Sequence, residues 1–126
     1  MNYFKNFLLS LMVFLIIDFT WLGLIAKDFY NRQLAPFSFR FSLLPAVLAY
    51  FLLAGGITVF VLSQTSSKGP LAFLLGAGFG LVVYGVYDLT NLATLADWSL
   101  KMTVVDMLWG ATVCSLTTLI VGLITK

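Results

Sequence analysis

Residues 4–26 read FKNFLLSLMVFLIIDFTWLGLIA. Wound as an α-helix, these 23 residues measure about 34 Å, enough to cross a hydrocarbon core of roughly 30 Å. Lys5 at the front of an apolar run is also how a secretory leader begins. The length of the run, its interruption by Asp18 and the lack of a small-x-small cleavage site after it point instead to a retained transmembrane helix.

The same reading extends along the chain. A second apolar run covers about residues 43–63, with Pro45 in its first turn, where a missing N–H costs nothing. Gln64 to Gly69 is a polar turn. A third run, about 70–95, carries no charge until Asp88, and a fourth, about 102–125, has Asp106 as its only charge. The expected fold is therefore all-α: an integral-membrane four-helix bundle forming a single transmembrane domain over residues 1–126. Composition agrees, because 61% of the residues are hydrophobic and 10% charged, against about 25% charged in a soluble domain. A mean hydropathy of +1.04 leaves too little polar surface to coat a globule in water.

Several functions fall away on composition. The net charge of +2 comes from scattered residues, so no nucleic-acid partner is expected. The chain has no His and a single cysteine, Cys114, which removes the commonest general base and any CxxC pair; no metal or cofactor is expected. The lipid bilayer is the expected partner. Lys27, Arg32, Arg40 and Lys101 fall on the side of the odd-numbered loops, with Lys5, Lys68 and Lys126 opposite, so the charges do not choose an orientation. Between Lys27 and Arg40 charge alternates with Phe29, Tyr30, Phe37 and Phe39. Such a segment is expected at the headgroup level with its rings inserted, and Arg32, Arg40 and Lys101 are candidates for headgroup contact.

The chemistry-bearing residues are the intramembrane aspartates. Asp18 lies late in span one, Asp88 near the end of span three and Asp106 in the opening turns of span four. Antiparallel neighbours put all three in the same half of the membrane. Each costs at least about 2.5 kcal/mol to insert, so they are expected to face one another, water or a ligand rather than lipid. Tyr84, Asp88 and Asn91 follow one helical stripe, with Tyr87 beside it. Asp106, Trp109 and Gly110 share a face of span four, Gly110 leaving a gap where something could approach the backbone. Span one adds Thr20 and Trp21. Apart from Lys5 in the first turn of span one, no Lys or Arg lies within a span; Lys101 is the nearest candidate partner for Asp106, and at least one aspartate is expected to be protonated near neutral pH. Ala72, Gly76 and Gly80, with Gly78 beside them, and Ala54-Gly55-Gly56 allow close backbone packing, either within the bundle or between subunits.

The strings Tyr87-Asp88-Leu89-Thr90-Asn91-Leu92-Ala93-Thr94-Leu95, Asp97-Trp98, Val105-Asp106-Met107-Leu108-Trp109-Gly110 and Asp18-Phe19-Thr20-Trp21-Leu22-Gly23 resemble those of a family of small bacterial membrane proteins, domain of unknown function 2177. The resemblance covers essentially the whole chain. It implies a multi-pass protein of the bacterial inner (cytoplasmic) membrane, and it supplies no activity, substrate or catalytic residue.

Three functions remain open from the sequence. The first is binding or proton-coupled transport of a small-molecule or lipid-like ligand at the aspartates, for which a narrow four-span bundle would call on a homodimer. The second is a membrane-embedded enzyme of lipid or isoprenoid metabolism, against which no D-D-x-x-D or H-x-x-x-H spacing appears. The third is an accessory subunit whose aspartates serve helix–helix contacts.

Overall fold

The computed structural model describes residues 1–38, 40–65 and 69–125. Phe39, Lys68 and Lys126, named above, lie outside the described residues. Among the described residues five helices follow in order: α1 (Tyr3–Ile25), α2 (Lys27–Leu34), α3 (Leu43–Thr65), α4 (Gly69–Thr94) and α5 (Leu100–Ile124). All but α2 are long and apolar enough to cross a membrane. Asn2 caps α1 by accepting the Lys5 N–H at 3.0 Å, and Ser99 caps α5 by accepting that of Met102 at 2.9 Å, each satisfying a donor that the first turn leaves free.

The helix α5 is the hub of the bundle. Half of its apolar stretch is buried, against 17–28% for the other long helices, and it packs on α1, α3 and α4. Its closest neighbour is α4, and the reason lies in the small residues. A Cβ on Gly80 would stand 2.1 Å from the Gly110 carbonyl oxygen, and one on Gly76 would meet the Ser115 Cα at 2.8 Å. With Ala72, also buried, these residues form the seam along which two backbones touch; the small-residue run of α4 is thus spent inside the bundle. Gly78 and Gly55 face open space and take no part, while Gly56 receives the ring of Phe79.

Phe14, Ile57, Leu62, Trp109, Val113, Cys114 and Val121 fill the centre. Cys114 is buried there as a small packing residue. Large side chains such as Leu24, Leu52, Phe60, Val82 and Leu123 cover the outside, a surface suited to lipid and not to water. Two segments are wound as π-helix, Trp21–Ile25 closing α1 and Ile57–Leu62 within α3. In the first, the Ala26 N–H reaches back five residues to the Trp21 carbonyl at 2.7 Å. Such wider turns redirect side chains and gather at functional sites.

In the loop after α1 the Tyr30 ring departs from its expected insertion into lipid. Lys27–Leu34 forms the short helix α2, and its Tyr30 is buried with Ala26, Trp98 and Met102 instead of inserting into lipid. Phe37 packs on Trp98 with ring centroids 5.7 Å apart. The Ser99 hydroxyl donates to the Gln33 side-chain oxygen, tying α2 to the start of α5. Rings that find a protein surface in reach gain the same burial as in lipid, together with partners for their polar atoms.

The α4–α5 seam makes a direct prediction. Gly80→Ala forces a methyl into backbone and should destabilise the protein by about 1–3 kcal/mol, whereas Gly78→Ala, facing open space, should leave it unchanged. Thermal unfolding of both variants in detergent reads the difference.

Candidate functional site

Asp18, Asp88 and Asp106 are 4%, 0% and 7% exposed, and all three turn into the bundle at the end where α2 lies. Asp18, on the buried face of α1 with Asn6, Ser10 and Phe14, accepts the Tyr50 hydroxyl of α3 at 2.6 Å and the Trp109 indole N–H of α5 at 2.9 Å. Three long helices meet on one carboxylate. Bonds from neutral donors offset part of its desolvation without requiring a buried cation.

Asp106 accepts the Tyr30 hydroxyl at 2.8 Å, and Tyr30 in turn accepts the Trp21 indole N–H at 3.2 Å. The Trp21 ring lies flat on Trp109, with centroids 4.5 Å apart and planes 9° apart. The two carboxylates are thereby joined through an aromatic relay: Asp18, Trp109, Trp21, Tyr30, Asp106. Burial first, and then the charge of Asp106, hold the Tyr30 phenol above its usual range, so at neutral pH it stays a donor.

Asp88 lies near enough to Asp106 for the two carboxyls to influence one another, yet among the described residues neither of its oxygens has a donor. Two ionised carboxylates cannot bond to one another, since each only accepts. A fully buried and unpartnered acid is rare enough to call for a physical reason.

The remaining expected residues divide. Tyr87 is exposed one residue before Asp88, edge-on to Trp98 at 5.9 Å, and Asn91 is half-buried. Tyr84 is half-buried, and its ring occupies the space at Gly110, where a Cβ would meet the Tyr84 Cγ at 2.2 Å. The gap at Gly110 is therefore closed by the protein itself. Thr20 faces outward and donates to the Ile16 carbonyl at 2.7 Å, taking no part in the cluster. Lys101 does not pair with Asp106; it is exposed, its ammonium over the Phe29 ring at 5.8 Å, where the ring face attracts it and water still solvates it. Arg32 and Arg40 are exposed.

Tyr30 and Tyr50 were not among the expected site residues. Tyr50 had a signal: it is the lone polar side chain between Leu43 and Ile57, and a hydroxyl inside a span needs a partner. Tyr30 had none, because its place depends on α2 folding back.

Two cavities share Asp106 as a wall. One, of about 620 Å³, lies beneath α2 and is lined by Leu22, Lys27, Tyr30, Asn31, Tyr87 and Met102, among others. The other, of about 370 Å³, is an apolar groove bordered by Ala49, Leu52 and Leu53 of α3 and by Phe79, Val83, Tyr84 and Tyr87 of α4. Among the described residues no group of three Cys or acidic side chains has the arrangement of a metal site.

A helical bundle with four apolar spans and a buried carboxyl cluster defines a polytopic membrane protein. The family model described as "Predicted membrane protein (DUF2177)" matches residues 3–123, and the chain belongs to that family. No curated protein and no solved structure matches the chain.

The Asp18 triad can be tested for stability. Tyr50→Phe removes one donor from a buried carboxylate and should cost about 1–3 kcal/mol. In an Asp18→Leu background the same change should cost almost nothing, because no acceptor remains. Unfolding titrations of the four proteins in mixed detergent and dodecyl sulfate measure the coupling.

Proposed function

We propose that this protein binds a small or lipid-like amphipathic ligand whose polar end carries a hydrogen-bond donor or a positive charge, and that binding is coupled to a proton held between Asp88 and Asp106. The observation that carries the reading is the position of Asp106. It forms a wall of both cavities, and behind it stands Asp88, fully buried and without a donor. A proton on the pair gives Asp88 its missing bond and removes one buried negative charge. A cationic or donor headgroup arriving at Asp106 can replace that proton, which makes binding and proton release one event.

The shape of the site favours an amphipathic ligand. The cavity under α2 has Lys27, Asn31, Tyr30 and Asp106 on otherwise largely apolar walls, a few polar groups for a headgroup at the membrane interface. The groove at α3 and α4 is walled by Leu52, Leu53, Phe79 and Val83, a bed for a hydrocarbon chain. Arg32 and Arg40 are free to hold lipid phosphates at the same end. Binding of this kind, in a single transmembrane domain of the bacterial cytoplasmic membrane, accounts for carboxylates that helix packing alone would not require.

Dodecylamine and dodecanoate, titrated into the protein in neutral detergent and followed by tryptophan fluorescence, test the reading. The amine should perturb the Trp21–Trp109 stack saturably and release protons to a weakly buffered solution. Asp106→Asn should weaken this response by about tenfold or more, the loss of a charge-assisted contact. Dodecanoate should give no saturable change. Equal responses to the amine and the acid, or an unaltered response in Asp106→Asn, would defeat the proposal.

A further inference from the structure

A second buried polar layer lies deeper in the bundle, on residues that the carboxyl site does not use. Asp18, Tyr50 and Trp109 fix the levels of α1, α3 and α5 relative to one another through their shared hydrogen bonds. Because α1 runs antiparallel to the other two, eight residues towards the chain termini lead from these three to Ser10, Thr58 and Thr117, about 12 Å away at the rise of an α-helix. All three are buried, Ser10 and Thr117 with no exposed surface. Four residues along, between the two layers, stand Phe14, Ala54 and Val113, equally buried and wholly apolar.

The hydroxyls of the deeper layer are not equivalent. Thr58, like Thr20, Thr112, Thr118 and Thr125, donates to the carbonyl one turn back, the usual resource of a hydroxyl inside a helix. Among the described residues Ser10 Oγ and Thr117 Oγ1 have no hydrogen-bond partner. Two sealed hydroxyls at one level, beside a third whose oxygen can still accept, form a set of polar partners fit for water, which needs two to four of them. A cavity opens one turn away from this layer. It measures about 260 Å³, lies at the chain termini and is lined by Asn2, Lys5, Asn6, Ser63 and Thr125, and Asn6 stands one turn from Ser10 on the buried face of α1.

We infer that Ser10, Thr58 and Thr117 form a hydration site at the inner end of a water path that enters at the chain termini, passes Asn6 and stops at an apolar plug of Phe14, Ala54 and Val113. The bundle is then wetted from both ends, with a single dry layer between the hydroxyls and the Asp18 triad. Displacing Phe14, the large member of that layer, joins the two halves.

Single-cysteine variants in a Cys114→Ala background, reconstituted in phosphatidylcholine vesicles, test the path with silver ion, a water-borne thiol reagent of small size. Thiols left unreacted are counted with a maleimide after denaturation. Ser10→Cys and Thr117→Cys, close in size to the native residues, should react at least about tenfold faster than Val113→Cys in the plug, the reaction requiring a solvated thiolate. Asn6→Cys, nearer the entrance, sets the upper rate. Rates at Ser10→Cys and Thr117→Cys as slow as Val113→Cys would show a dry layer and overturn the inference, as would a Val113→Cys that reacts as fast as they do. The two hydroxyl positions lie on different helices, so one folded variant is enough to decide.

Discussion

The structure depends on how three carboxyl groups are kept out of water without a buried cation. In a medium of low dielectric an isolated carboxylate is untenable, and within the four long helices Lys and Arg are confined to first turns, at Lys5 and Lys101. The partners are neutral: two tyrosine hydroxyls and an indole N–H bond Asp18 and Asp106 directly, and a second indole supports Tyr30 from behind. Each of these donors is carried on a large ring. The same side chains that satisfy the acids therefore also fill the space around them, as the flat stack of Trp21 on Trp109 shows.

Helix arrangement follows from that requirement. Asp18 needs α3 and α5 beside α1, and Asp106 needs Tyr30, which holds α2 over the end of the bundle. The seam of Gly76 and Gly80 against Gly110 and Ser115 holds α4, which carries Asp88, against α5, which carries Asp106. Van der Waals contact between small residues gives the bundle its closest interface, since lipid offers helices no hydrophobic reason to associate. The polar cluster decides which faces meet. Towards the chain termini the pattern changes to hydroxyls and aliphatic groups, and the bundle there is held by packing around Val113, Cys114 and Val121.

Much of this was legible in the sequence. Length and hydropathy are bilayer constraints, so the four spans could be read without any tertiary knowledge. The inward turn of the three aspartates followed from the cost of charge in lipid, and their common level from antiparallel order. What could not be read was anything that depends on a short segment folding back. Phe29, Tyr30 and Phe37 have the composition of a lipid anchor, and only α2 docking on Trp98 and Met102 packs them on the bundle. Thr20 was misplaced because sequence proximity to Asp18 says nothing of helical face: two residues on, a side chain points well away from the first. Gly110 suggested an opening because a glycine leaves room, and the filling of that room by Tyr84 depends on the neighbouring helix. Lys101 lay near enough in sequence to pair with Asp106, yet a surface ammonium keeps its hydration more cheaply than it enters an apolar cluster.

The proposed function requires Asp88 and Asp106 to hold one proton between them in the unliganded protein, which would give the unpartnered Asp88 a hydrogen bond. Difference infrared spectroscopy of the carboxyl C=O stretch measures this directly. At neutral pH the protein should show a protonated-carboxyl band that shifts on transfer to heavy water and vanishes in Asp88→Asn, while Asp28→Asn leaves it in place. A spectrum with no protonated-carboxyl band at neutral pH, or a band that persists unchanged in both Asp88→Asn and Asp106→Asn, would contradict the account.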